Sequence, residues 1–230
     1  MATRTQAIDF ARRKPKQARA QDTVEIILEA TARILRKQGR EALNTNYIAE
    51  CAGISVGTLY QYFPNKEAIL VAMGRREIAA DEAAVIKAMA ESAKADLRPT
   101  TVGLRSTTAD LRPTTAKDDD ADLVRRAIRA LIGRHRRARE VRRVAVETLI
   151  SEGHGDEMAR SVQKVAQMVG ASSERFLPGR KEPVSDTSLF VITRAISGVM
   201  RAASQEQSPL LDTQEFEDAL VQLVHGYFGA

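Results

Sequence analysis

Residues 44–66 read Asn-Thr-Asn-Tyr-Ile-Ala-Glu-Cys-Ala-Gly-Ile-Ser-Val-Gly-Thr-Leu-Tyr-Gln-Tyr-Phe-Pro-Asn-Lys. A short helix beginning at Thr45 stops at Gly53. Ser55 stands where it caps a second short helix running through Phe63, and Pro64-Asn65 punctuates before a longer helix from Lys66. Two short helices separated by Gly53-Ile54-Ser55 form a helix-turn-helix, whose second helix enters the DNA major groove when its outer face reaches bases and phosphates. Ile48, Ala52, Ile54, Leu59 and Phe63 are enough apolar positions to seat the pair on a neighbouring helix. Three of the chain's four tyrosines, Tyr47, Tyr60 and Tyr62, fall here and are surplus to that core. Hydroxyls on rigid arms suit phosphate oxygens.

Upstream, Asp22 and Glu25 have capping-box spacing, and Val24, Ile27, Leu28, Thr31, Ile34 and Leu35 recur at steps of three and four until Gly39. Residues 1–21 contain Arg12-Arg13-Lys14-Pro15-Lys16 without an apolar period and read as a basic flexible arm. Residues 22–65 are then a three-helix unit, and the helix from Lys66 to about Ala93 leads into the remainder, 66–230. Three near-copies at a period of seven follow, Leu-Arg-Pro-Thr-Thr from 97, Leu-Arg-Ser-Thr-Thr from 104 and Leu-Arg-Pro-Thr-Thr from 111. Proline in two of the copies excludes a coiled coil, so 97–115 reads as a low-complexity insertion.

Helical periodicity resumes after Asp118-Asp119-Asp120. Val124, Ile128, Leu131 and His135 line one face, Val141, Val144, Ala145, Thr148 and Leu149 the next helix, and a third runs from about Asp156 toward Phe176. Beyond a loop at 177–185, two helices at about 186–205 and 212–228 carry broad apolar stripes, the last opened by the capping-box pair Asp212 and Glu215. Two such pairs suit a four-helix dimer interface across a two-fold axis. No strand or hairpin signal occurs, so the expected fold class is all-α.

The 230 residues carry a formal charge of +5. Counted by segment it is +5 over residues 1–80, −3 over 81–122, +8 over 123–143 and −5 over 144–230. A basic arm joined to a compact helical unit is the electrostatic footprint of a nucleic-acid binder. The arginine-rich helix, 125–143, reads first as a solvated face, with an anionic ligand, the acidic run at 118–120 or further DNA as alternative partners. No apolar run approaches the ~20 residues of a membrane span, and the basic N-terminus lacks a secretory signal, so a cytoplasmic location is expected. Cys51 and the scattered His135, His154 and His225 offer no disulfide or metal framework. Cys51 reads as a half-buried filler, His135 as a core histidine, and Met158, Met168 and Met200 as core. No Gly-rich phosphate loop, His-Glu-x-x-His or activated nucleophile is present, so neither catalysis nor a cofactor is expected.

Residues 23–72 resemble the DNA-binding domain of the TetR family of bacterial transcriptional regulators. Gly39, Leu43, Thr45, Ile48-Ala49, Ala52-Gly53-Ile54-Ser55, Gly57-Thr58-Leu59-Tyr60, Tyr62-Phe63 and Asn65-Lys66-Glu67 stand at the family's spacing. Beyond residue 72 the resemblance is one of helical layout, and the repeat insertion departs from it. The resemblance implies a homodimeric repressor bound to a near-palindromic operator, with a helical C-terminal domain that dimerises and binds a small-molecule effector. It makes Thr45, Thr58, Tyr60, Tyr62 and Lys66 phosphate contacts, Asn46, Val56 and Gln61 base readers, and places Tyr47, Ser55 and Gly57 within the same surface. The chemistry agrees: Gln61 and Asn46 pair a donor with an acceptor as adenine requires, Val56 suits a thymine methyl, and Gly57 lets backbone approach DNA. Lys66, a cation in the first turn of a helix, opposes the helix dipole until a phosphate binds, so its best partner is expected outside the protein. The competing reading is a helical interaction protein that uses the arginine-rich helix on an acidic partner.

Overall fold

The computed structural model describes residues 16–96, 116–172 and 183–228. The repeat at 97–115, most of the basic arm and most of the loop at 177–185 lie outside the described residues. Within them the chain is helical: α1 (Lys16–Gln38), a 3-10 turn (Arg40–Ala42), α2 (Thr45–Ala52), α3 (Val56–Tyr60), α4 (Lys66–Asp96), α5 (Ala116–Arg137), α6 (Arg139–Leu149), a wide turn (Ile150–His154), α7 (Gly155–Ala171), α8 (Asp186–Gln205), a 3-10 turn (Pro209–Asp212) and α9 (Gln214–Phe228). The all-α class is observed.

Three boundaries differ from expectation, each for a local reason. Helix α1 opens at Lys16, so Asp22 lies inside it rather than at its cap, and residues 16–21 of the expected arm are helical. Lys, Gln, Ala and Arg from 16 to 21 are all good helix formers. Helix α3 ends at Tyr60, not Phe63, because Gln61 and Tyr62 turn more tightly, their amides donating to the Thr58 and Leu59 carbonyls. Phe63 precedes a proline, which disfavours helical backbone there. At the last helix, Thr213 is the cap instead of Asp212: its Oγ1 accepts from the Phe216 amide at 3.2 Å.

Two cores hold the molecule. The first packs Ile27, Leu28 and Leu35 of α1 against Ile48 of α2, Leu59 of α3 and Ile69, Leu70 and Met73 of α4. It also takes in Val141, Val144 and Ala145 of α6, so a helix placed by sequence in the C-terminal domain completes the core of the N-terminal unit. Helices α4 and α6 approach tightly at Gly74, where a Cβ would stand 2.8 Å from the Ala145 carbonyl oxygen and 3.0 Å from the Leu149 side chain. The second core joins Val124, Ile128 and Ile132 of α5 to Met200 and Ala203 of α8 and Leu220 and Val221 of α9.

The arginine-rich segment is not a solvated face. At least seven of its nine arginines pair with carboxylates of this chain, and among the described side chains the partners come from α4, α6 and the C-terminal region; the side chains of the acidic run at 118–120 lie outside the description. Arg129 Nη2 meets Glu217 at 2.7 Å, with Arg125 bridging Glu217 and Asp218. Arg139 Nη2 meets Asp212 at 2.8 Å. Arg134 Nη2 and Nε meet Glu77 and Asp81 at 2.8 and 2.9 Å, and Arg142 Nη2 reaches Asp81 at 2.5 Å. These pairs clamp α4, α5, α6 and α9 together, which leaves the segment poorly suited to an external acidic partner.

Candidate nucleic-acid interface and adjoining cavity

The helix-turn-helix is built by local capping. Asn44 Oδ1 accepts from the Tyr47 amide at 2.8 Å and opens α2, and Gly53 closes it at φ 67°, a left-handed conformation that glycine adopts without strain. Ser55 Oγ accepts from the Thr58 amide at 3.0 Å and pairs with the Thr58 hydroxyl at 2.8 Å, which opens α3. Asn65 Oδ1 does the same for α4 through the Ala68 amide at 2.8 Å. Arg33 of α1 donates to the Cys51 carbonyl at the end of α2, so the orientation of the motif on α1 is set by a hydrogen bond as well as by packing. That bond is invisible in the sequence, since its acceptor is backbone 18 residues away.

The predicted side chains divide by exposure. Asn46, Ser55, Gly57, Tyr60 and Gln61 are exposed, Thr45, Tyr47, Val56, Thr58, Tyr62 and Lys66 are partly covered, and Leu59 beneath them is buried. Tyr60 retains 51% of its surface, and its hydroxyl lies 3.0 Å from that of Thr45, joining the end of α3 to the start of α2. Tyr47, by contrast, packs on the core while its phenolic oxygen accepts from Gln38 Nε2 at 2.8 Å. Tyr62 and Val56 likewise rest against the core. A Cβ on Gly57 would meet nothing closer than Ser55 Oγ at 3.8 Å, so nothing inside the protein demands glycine there. Lys66, expected to find its partner outside, has a long contact within: its Nζ donates to the Leu43 carbonyl at 3.4 Å.

Behind this unit, between α4, α5, α6, α7, α8 and α9, lies a cavity of about 190 Å³. Its walls are largely aliphatic, among them Ile78, Val85, Leu131, Val162 and Ile196. Met158 and Met200 line it too, which corrects the expectation that they serve the core alone. One edge is polar, where Asp81, His135, Arg142 and Ser204 adjoin. His135 is buried, its Nδ1 2.6 Å from Ser204 Oγ and its Nε2 3.8 Å from Asp81, as expected of a core histidine. Burial holds its pKa below the ordinary imidazole value, with Asp81 opposing and Arg142 and Arg134 assisting. Burial raises the Asp81 carboxyl, but the facing His135, Arg142 and Arg134 together outweigh it and hold it below the usual range.

Of the other charged groups on the lining, Glu82 meets Lys164 Nζ at 2.6 Å and Arg143 Nη2 meets Glu140 at 2.8 Å, while Arg201 is exposed; outside the lining, Arg75 grips Glu157 through two bonds of 2.8 and 2.7 Å. Among the described residues no group of three or more His, Cys, Asp or Glu is placed to hold a metal, and no helix is long and apolar enough to cross a membrane.

Residues 27–73 match the model of bacterial regulatory proteins of the tetR family, and residues 121–228 match that of the tetracyclin repressor-like C-terminal domain. Over 50 residues the chain is 52% identical to the HTH-type transcriptional repressor KstR of Mycolicibacterium smegmatis, covering 21% of this chain and 24% of that protein. The KstR of Mycobacterium tuberculosis is 50% identical over 50 residues, covering 21% and 23%. The chain thus matches about a quarter of the length of these curated relatives. Among solved structures, Thermus thermophilus FadR, a transcriptional repressor in complex with lauroyl-CoA, superposes with a TM-score of 0.55 at 15% identity, covering 89% of this chain and 93% of that one. A transcription regulator from Marinobacter aquaeolei VT8 gives 0.53 at 20% identity, covering 92% and 97%. At that identity the likeness is one of fold.

Proposed function

Because the chain belongs to the TetR family of bacterial regulatory proteins, we propose that it is a transcriptional repressor that binds a near-palindromic operator as a homodimer and is released by a small molecule. The observation that carries this reading is the double duty of α6. Val144 and Ala145 complete the core on which α2 and α3 sit, while Arg142, Arg143 and Val146 of the same short helix line the cavity. Helix α4 makes the same connection, starting beside the motif at Lys66 and passing the cavity at Ile78, Asp81 and Val85. A ligand that prefers one placement of α4 and α6 therefore biases the placement of the recognition helix, which is all that coupling requires.

In this reading α3 enters the major groove, with Gln61, Asn46 and Val56 reading bases and Thr45, Thr58, Tyr60, Tyr62 and Lys66 holding phosphates. Gly57 leaves room for the DNA backbone, Ser55 orients Thr58, and Tyr47 supports α2 through Gln38. Lys66 exchanges its 3.4 Å carbonyl contact for a phosphate, a stronger charge-assisted bond. Dimerisation uses the outer faces of α8 and α9, where Phe190, Val191, Val199, Leu223 and Tyr227 are each at least 40% exposed although the opposite faces are buried in the chain's own core. The protein acts in the cytoplasm through binding alone, without a catalytic step.

The test is selection of bound sequences from a random DNA pool by the full-length protein at ~150 mM salt. A selected palindrome with half-sites about one helical turn apart, or a multiple of it, supports the reading. Recovery of no sequence above the non-specific level overturns it.

A further inference from the structure

The polar edge of the cavity constrains what fills it, an inference that rests on the effector reading above. Asp81 of α4 and Arg142 of α6 line it, and Glu77 of α4 and Arg134 of α5 complete their ion-pair network. Two carboxylates face two guanidinium groups, so the edge is already neutral. Glu82 is likewise matched by Lys164 and accepts from Ser161, and Ser204 is engaged by His135. A ligand carboxylate at this edge would sit beside Asp81 with both guanidinium groups already paired, which is costly away from water, and the lining's further cation, Arg201, is exposed rather than buried at this edge.

Arg142 is different from its neighbours. The residue is 8% exposed and lines the cavity; its Nη2 is spent on Asp81, but Nη1 is buried with no hydrogen-bond acceptor, the nearest carboxylate oxygen, on Glu77, being 3.9 Å away. A buried donor left unmade is an expensive state that an incoming acceptor relieves. The remaining walls offer aliphatic surface, and a cavity of about 190 Å³ holds roughly eight or nine non-hydrogen atoms, given that one of ~150 Å³ accommodates benzene.

We propose that the effector is an uncharged, mostly apolar molecule of that size, carrying a carbonyl or hydroxyl oxygen that accepts a hydrogen bond from Arg142. The apolar body fills the space between α4, α7 and α8, and the oxygen supplies the acceptor that the protein withholds from Nη1. Because Arg142 also ties α6 to α4, the ligand engages both helices that reach the DNA-binding unit.

Three probes of matched shape test this by titration calorimetry on the full-length protein at neutral pH: acetophenone, ethylbenzene and benzoate. Acetophenone is expected to bind roughly tenfold or more tightly than either of the others, the worth of one hydrogen bond to a charged donor. Arg142→Met removes the donor and should erase that preference. Since it also leaves Glu77 and Asp81 to share Arg134, Val162→Trp provides a second variant that fills the cavity, leaves the ionic network intact and should abolish binding of all three. Ethylbenzene or benzoate binding as tightly as acetophenone, with Val162→Trp still blocking both, overturns the acceptor inference and leaves the effector cavity standing. Absence of binding by all three, unaffected by Val162→Trp, overturns the inference together with the effector reading.

Discussion

The hydroxyl of Thr45, the first residue of α2, lies 3.0 Å from the hydroxyl of Tyr60, the last residue of α3. One bond therefore sets the spacing of two groups proposed to hold DNA phosphates. Each hydroxyl is exposed to water, so the bond adds little to folding, about 1 kcal/mol or less. Tyr60→Phe and Thr45→Val should each leave the urea midpoint nearly unchanged while weakening DNA binding for every sequence. The double variant should lose less than the sum of the two. Additive losses in a double-mutant cycle would show that the two hydroxyls act independently.

Base reading and phosphate holding separate in their signatures. Gln61→Ala should change which sequence is selected and cost about 1–3 kcal/mol on the preferred site. Lys66→Ala should weaken all sequences alike and lower the salt dependence of the binding constant by about one phosphate contact. If the two variants shift sequence preference equally, the division of roles fails.

At Gly74 a methyl group has nowhere to go, since the nearest atom on α6 is a backbone oxygen and cannot rotate away. Gly74→Ala should separate α4 from α6 and destabilise the chain by about 1–3 kcal/mol, despite alanine's better helix propensity. Chemical denaturation measures this, and a variant as stable as the parent would show that the two helices yield freely.

The buried network predicts a pH dependence of known sign. His135, faced by Asp81, Arg134, Arg142 and Ser204, has a pKa below its unfolded value. Below about pH 6.5 the unfolded chain takes up a proton that the folded chain refuses, so stability is lost as the pH falls through that value. Asp81, also lowered, contributes stability above the ordinary carboxylate pKa and gives it up only in stronger acid. His135→Asn should therefore flatten the decline in Tm between about pH 7 and pH 5.5. The same slope in the variant would assign the decline to other groups.

Glu217 receives Arg129 and Arg125 together while only 5% exposed, and Arg129 first among them holds its carboxyl below the usual range. Glu217→Gln should cost about 1–3 kcal/mol by loosening α9 from α5, whereas Asp218→Asn, on the solvent side, should leave the melting temperature close to the parent's.

Much of the DNA-binding unit was legible in the primary structure because its signals are local. Asn44, Ser55 and Asn65 cap helices within three residues of themselves, Gly53 takes the left-handed turn that ends α2, and Ile48, Leu59 and Phe63 repeat at helical spacing. Of the tyrosines read as surplus to the core, Tyr60 is exposed, whereas Tyr47 and Tyr62 pack against the core. The starts of α1 and α9 were misplaced because plausible capping pairs, Asp22 with Glu25 and Asp212 with Glu215, compete with neighbours that the tertiary structure favours.

By itself, then, the sequence determined an all-helical chain with a helix-turn-helix near its start, since backbone geometry and periodicity act over a few residues. Only the tertiary structure decided the fate of the +8 segment: carboxylates up to 93 residues distant offset most of it. It alone decided that α6 serves the first core and the cavity wall at once, and that Arg142 meets Asp81 beside an apolar cavity. Charge neutralisation and burial depend on distances in space, and those exist only when helices remote in the chain have packed.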